Sequence, residues 1–322
     1  MKTIINETLD TVSDMEKYDA ACKMLLSQKV ILAWILKHCI EEFRNFSADK
    51  IVKDFIEGDP QIDTEDSMPM IRGMNPENVD VKEGRITGDI RFFATTPQGK
   101  RWIIDVEAQR RFHPKYSLPK RGAYYLGRMI SAQKGIEFTG SHYEQLKKTF
   151  VIWVCLEPPK MWNNVITGYD VSEYYISGEG SLQPEEYELM TQIIIGLGDP
   201  EDELAIGVLR LLDVMFSTHL HVEKKKQIMS SEFGIAMTEE LEEGVKEMCN
   251  FSEAILERGM KEGIERGIEQ GIEQGIVKGE SRLNALNEKL VSDGRMDDLF
   301  RAIKDEWFRQ RLYEEYGLIF SI

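Results

Sequence analysis

The sequence predicts an α/β fold: a mixed central sheet flanked by helices, with a helical extension at the C-terminus. Three observations predict it. The run TFVIWVCLEP (149–158) is apolar on both alternations, the pattern of a central strand covered on both faces. Two alternating segments, GRITGDIRFFAT (84–95) and KRWIIDVEAQR (100–110), are joined by a turn holding Pro97 and Gly99, which reads as a hairpin. Segments of helical period lie before and after these strands.

In chain order, residues 1–24 read as a leader entering a helix. Residues 25–46 place Leu26, Val30, Ala33, Leu36, Ile40 and Phe43 at helical spacing. Ser47 can cap a short helix over 47–58, closed by Gly58 before Pro60. Residues 59–83, with three prolines and many acids, read as loop, and MPMI (68–71) as a short buried insert. Leu118 to Lys134 reads as a helix, with Tyr125 packed. Residues 164–176 suggest a further strand, Pro184 can open a helix, and 188–196 fits strand or helix. Residues 200–219 read as a helix with Leu204, Val208, Leu211, Leu212 and Met215 inward, and 238–258 as another. From Gly259 to Gly279 a glycine recurs at every fourth position, which lowers intrinsic helicity. A flexible hinge and a helix held by a partner through Ile264, Ile268, Ile272 and Ile276 both fit. The tail regains helical pattern, with Leu299, Ala302, Ile303, Trp307 and Leu312 as its packing residues. The expected division is 1–238, a connector over 239–280, and a small helical unit over 281–322.

Hydrophobic residues make up 42% of the 322, enough for a sizeable core. The four cysteines stand apart, with no CxxC pair and no zinc spacing, so they read as buried thiols of a reducing cytoplasm. The N-terminus lacks a signal-peptide core and no stretch is long and apolar enough to span a membrane. The net charge of −16 argues against indiscriminate nucleic-acid binding by the whole chain. The distribution is uneven. From Arg101 to Lys148 there are 10 Lys/Arg against 4 Asp/Glu, a local excess of 6 positive charges.

The chemistry concentrates in the hairpin. Alternate strand residues face opposite ways, so Trp102, Ile104, Val106 and Ala108 share one face and Asp105, Glu107 and Gln109 the other. The apolar face can bury. The polar face lines up carboxylates about 7 Å apart, and Asp89 on the preceding strand can meet them. Clustered carboxylate oxygens suit Mg²⁺ or a similar hard cation. The same alternation occurs in solvated hairpins that bind nothing. What sets this one apart is the basic flank that follows: Arg110, Arg111, His113, Lys115, Lys120, Arg121 and Arg128, interleaved with Tyr116, Tyr124 and Tyr125.

Asp89, the triplet Glu107-Ala108-Gln109, the later Arg121-Gly-Ala-Tyr124-Tyr125, the opening run LLSQKVILAWILKHCIEEF (25–43) and the glycine repeat occur in the order met in one family. The chain resembles the Rpn-type transposases of the PD-(D/E)XK nuclease superfamily. The resemblance implies a restriction-endonuclease-like core and a metal-dependent DNA endonuclease linked to recombination or mobile elements. Asp89 and Glu107 match the metal ligands, for Mg²⁺ with Mn²⁺ or Ca²⁺ as substitutes. Gln109 stands where the superfamily pattern has lysine. An opening-helix glutamate is usual, for which Glu42 is the choice and Glu41 its neighbour. Arg110, Arg111, Lys115, Arg121, Tyr124 and Arg128 are the expected DNA contacts, Asp105 a bystander and His113 a loop contact. The expected partner is DNA, with a homo-oligomer left open. A decayed nuclease scaffold that binds nucleic acid or protein without cleaving stays open as the alternative, because Gln109 carries no positive charge.

Overall fold

The computed structural model describes residues 17–62, 89–112 and 116–318. It separates into two compact units, Met1–Glu253 and Ala254–Ile322.

The first unit is built on a six-stranded open sheet of order β1-β2-β3-β4-β6-β5. Its strands are β1 (Ile56–Ile62), β2 (Ile90–Thr95), β3 (Arg101–Arg111), β4 (Thr149–Glu157), β5 (Val165–Asp170) and β6 (Met190–Gly196). β3, β4 and β6 run parallel; β1, β2 and β5 are antiparallel to their neighbours. The sheet is therefore mixed, as the expected fold class has it. β4 lies at its centre, and its first seven residues are buried. The hairpin turn also forms: Gly99 takes φ +80° and its N–H donates to the Thr96 carbonyl at 2.8 Å.

Residues 17–26 are helical (α1). The expected single helix over 25–46 is broken. Gln28 is extended, α2 covers Lys29–Cys39, Ile40 is extended again, and Glu41–Phe43 forms one 3₁₀ turn. Ser47 caps α3 (Ala48–Asp54), its Oγ accepting from the Lys50 N–H. That helix stops at Phe55, short of Gly58. The chain from Ile56 instead becomes β1, an edge strand that the sequence reading assigned to helix and loop. Gly58 takes φ +60° where the register shifts between Glu57 and Gln61. Pro60 is tolerated because an edge strand leaves one row of N–H groups unused. Residues 63–88, including MPMI, lie outside the described residues.

Helix α4 (Leu118–Ser131) covers one sheet face. Its Leu118, Tyr125, Leu126 and Met129 form a core with Ile103, Val151, Trp153, Cys155 and Ile194. The approach is close: a Cβ on Gly122 would lie 2.3 Å from the Gln192 side chain, whose Nε2 donates to the Leu118 carbonyl at 3.1 Å. On the other face Trp102 meets Phe150 and Phe43, with ring centroids 5.1 and 6.1 Å away. Helix α5 (Val208–Phe216) packs with α2 and with α6 (Val222–Phe233). α5 is shorter than the helix expected over 200–219, and Leu204 lies before it, exposed. α6 has weak apolar periodicity, so no sequence pattern marks it as a helix. Within residues 188–196, Met190–Gly196 form strand, and Pro184–Glu186 is only a 3₁₀ turn.

Helix α7 runs from Glu239 to Ser292 and takes in the whole glycine repeat, so the repeat is helical. Its Ile264, Ile268, Ile272 and Ile276 side chains are exposed. In the second unit, the end of α7 packs Leu286 and Leu290 against Ala302 of α8 (Met296–Lys304) and Leu312 and Tyr313 of α9 (Glu306–Glu315). Leu299 joins this core, whereas Ile303 and Trp307 face outward. Among the described residues no helix is long and apolar enough to cross a membrane.

Candidate functional site

Glu107 is carried by β3, where it pairs with Trp153 of β4. Ile90 pairs with Val106, which sets Asp89, the residue before β2, opposite Glu107. Two hydrogen bonds interlock the acids. The Asp89 N–H donates to Glu107 Oε1 at 3.2 Å, and the Ala108 N–H donates to Asp89 Oδ2 at 3.0 Å. Each carboxylate is thus held by backbone next to the other, which leaves Asp89 Oδ1 and Glu107 Oε2 for other partners.

The polar face of β3 is not open, as the alternation suggested, but covered by α4. Asp105 is fully buried and Glu107 nearly so. Their partners come from elsewhere in the chain. Arg91 on β2 binds Asp105, Nη2 to Oδ2 at 2.6 Å. Arg121 on α4 is the hub of the Glu107 side. Its Nη2 stands 3.9 Å from Glu107 Oε2, and its Nη1 donates to Gln109 Oε1 at 3.3 Å and to the Tyr116 hydroxyl at 2.9 Å. Its Nε donates to the Tyr125 hydroxyl at 2.9 Å, and its guanidinium lies 4.9 Å from the centroid of Trp153.

Burial, then the neighbouring charges of Asp105 and Asp89, push the Glu107 carboxyl well above the usual carboxylate range; Arg121 pulls the other way. Burial also raises Asp89, to about 6, against the opposing pull of Lys23. Lys23 was not foreseen. It lies on α1, with Nζ 3.1 Å from Asp89 Oδ1 and 2.8 Å from Asp19 Oδ2. Burial works against its charge, but the bonds to these two acids raise its pKa overall. The sequence signal was an i,i+4 acid–base pair, Asp19 and Lys23, set among positions that bury.

Glu42 is not brought to this site. α2 ends before it, and Phe43 packs on Trp102, so Glu42 lines a cavity of about 580 Å³ with Lys100, Arg101, Trp102 and Lys148. Trp102 precedes Glu107 by five strand residues, roughly 16 Å. Glu41, in the same 3₁₀ turn, is exposed. Of the expected DNA contacts, Arg110 is tied to Glu157 at 2.8 Å, Arg111 and Tyr124 are exposed, and Arg128 is half-buried. Lys115 and His113 lie outside the described residues. The local positive excess is partly answered within the fold, since Arg101 binds Glu57, Lys147 binds Glu137 and Lys148 binds Glu188.

No protein-family profile, curated protein or solved structure matches the chain.

Carboxylate oxygens are the donor type that hard divalent cations take. Asp89 and Glu107 offer two adjacent carboxylates, each with one oxygen not held by backbone, facing Lys23 at 3.1 Å and Arg121 at 3.9 Å. No group of three or more His, Cys, Asp or Glu placed to hold a metal occurs among the described residues. A two-carboxylate site completed by water is the Mg²⁺ habit; an all-protein cage is the Ca²⁺ one. Asp105 is held by Arg91, which keeps it out of the donor set.

Proposed function

We propose that the chain is a metal-dependent DNA endonuclease of the restriction-endonuclease-like kind, with Asp89 and Glu107 as the ligands of one Mg²⁺. The observation that carries this reading is the reciprocal clasp of the two acids, each bonded to backbone beside the other. The bound ion would supply a water of lowered pKa and a counter-charge for the leaving oxygen. Asp89 and Glu107 would hold the ion. Gln109 carries no charge of its own, but its amide oxygen is tied to Arg121, whose guanidinium places a fixed positive charge beside Glu107. Arg121 in this reading orders the site rather than reaching outward for DNA. Arg111, Lys120 and Tyr124 are the exposed residues near it on β3 and α4 that suit a phosphate backbone.

The alternative is a scaffold that has lost cleavage and serves as a nucleic-acid or protein interaction module. The Lys23 ammonium on Asp89 favours it, because an internal ion pair satisfies the carboxylate without a metal. Nicking of supercoiled DNA, with and without Mg²⁺, separates the two. The endonuclease reading expects Mg²⁺-dependent cleavage by the wild type and none by Glu107→Ala. Equal inactivity of both proteins, with DNA binding retained, supports the scaffold.

A further inference from the structure

The two cations beside the acid pair are held in different ways. Arg121 is fixed by Tyr116, Tyr125 and Gln109 and stacked on Trp153. Lys23 bridges two acids at once, the largely buried Asp89 through Oδ1 at 3.1 Å and the more exposed Asp19 through Oδ2 at 2.8 Å. Asp19 lies one turn back on the same helix, with its side chain 52% exposed against 16% for Asp89. A lysine is a compact charge on a flexible stem and can change partner by rotating its methylenes. Asp89 Oδ2 and Glu107 Oε1 are engaged by backbone N–H groups, so Oδ1 is the Asp89 oxygen turned to side-chain cations. Any divalent cation shared with Glu107 would meet Lys23 there, and two like charges at contact distance repel strongly in a half-buried setting.

We propose that Lys23 is a resident counter-cation that bridges Asp89 and Asp19 in the metal-free protein and gives up Asp89 Oδ1, keeping Asp19, when a hard divalent cation binds. Lys23 is on this view a positioning residue. It keeps the carboxylate oriented when no ion is present and makes ion binding an exchange instead of a simple addition. The proposal rests on the reading of Asp89 and Glu107 as ion ligands.

Calorimetric titration of the full chain with Mn²⁺ tests it without reference to cleavage. Lys23→Met should bind Mn²⁺ about tenfold more tightly than the wild type, equivalent to about 1.4 kcal/mol. Lys23→Arg should stay near the wild type, since the competing charge is kept. Asp19→Asn removes the second acid of the bridge and should weaken binding roughly threefold; this variant keeps Lys23 on Asp89 and serves if Lys23→Met does not fold. Glu107→Ala should abolish the titration. Equal affinity of wild type and Lys23→Met, with binding still lost in Glu107→Ala, overturns the exchange and leaves the ion ligands standing. An Asp19→Asn variant that binds as the wild type does overturns Asp19 as the acid that keeps Lys23. Absence of Mn²⁺ binding in both the wild type and Lys23→Met overturns the exchange and the ion ligands together.

Discussion

Asp105 and Arg91 show how a strand carries charge in its interior. Asp105 is fully buried, and Arg91, its register partner on β2, is close behind. Breaking such a pair leaves a buried charge uncompensated, whereas replacing both partners removes the problem. Arg91→Met should therefore cost about 3 kcal/mol in urea unfolding, and the double change Arg91→Met/Asp105→Leu should recover most of that loss. Asp213 on α5 gives a pH signature. It is buried, accepts the Gly198 N–H at 2.8 Å, and is raised to about 6 by burial and by Asp199 and Asp202. A raised folded pKa means that the folded state holds the proton more tightly. The stability due to this group is then full below the unfolded value of 3.8, falls as pH rises to about 6, and stays low above it. The change is at most about 3 kcal/mol. Asp213→Asn should flatten that part of the stability profile; an unchanged slope between pH 4 and 6 would assign it to other groups. At this scale the sequence was informative about which acids matter and silent about their partners. Asp89 and Glu107 stood out by alternation, but Lys23 meets Asp89 across 66 residues and Arg91 meets Asp105 across 14, and no local pattern encodes such meetings.

Elements were legible where several signals agreed. β4 combines β-branched and aromatic residues with burial on both faces, the hairpin has Pro97 and Gly99 in its turn, and α4 has Pro119 at its start and an apolar stripe. β1 was missed because Gly58 and Pro60 read as a helix stop and a loop, while its pairing with β2 is a tertiary matter. The α2 break was missed because Gln28 and Ile40 have no sequence mark of an extended backbone. The burial of the polar face of β3 was missed because α4, which covers it, approaches through Gly122. That contact is testable. Gly122→Ala would drive a Cβ into the buried Gln192 amide and should cost about 2 kcal/mol, as overpacked cores do. Adding Gln192→Ala should relieve the clash, so a double-mutant cycle should show strong coupling between these positions. Independent, additive costs would mean that α4 does not rest on β6 through this pair.

For the whole molecule, an α/β core with a helical extension was readable from periodicity, because strand and helix patterns alternate along the first unit and only helical ones occur in the tail; the mixed strand directions came with the family resemblance, since periodicity does not encode strand direction. The behaviour of the glycine repeat was not readable, since glycine content argues against the helix that forms. Each unit carries its own core, so a chain ending at Glu253 should unfold cooperatively, within about 0.5 kcal/mol of the first transition of the full chain. Loss of that transition in the truncated chain would show that the tail is needed for the fold of the first unit. The proposed function makes Asp89 and Glu107 one ion-dependent hydrolytic centre. Its most direct measurement is cleavage of supercoiled and linear DNA by the purified full chain across a Mg²⁺ series, beside Asp89→Ala and Glu107→Ala. The expected result is cleavage that rises with Mg²⁺, is abolished by chelation, and is lost in both variants. Cleavage that persists in either variant, or a wild type inert at every Mg²⁺ concentration, would contradict it.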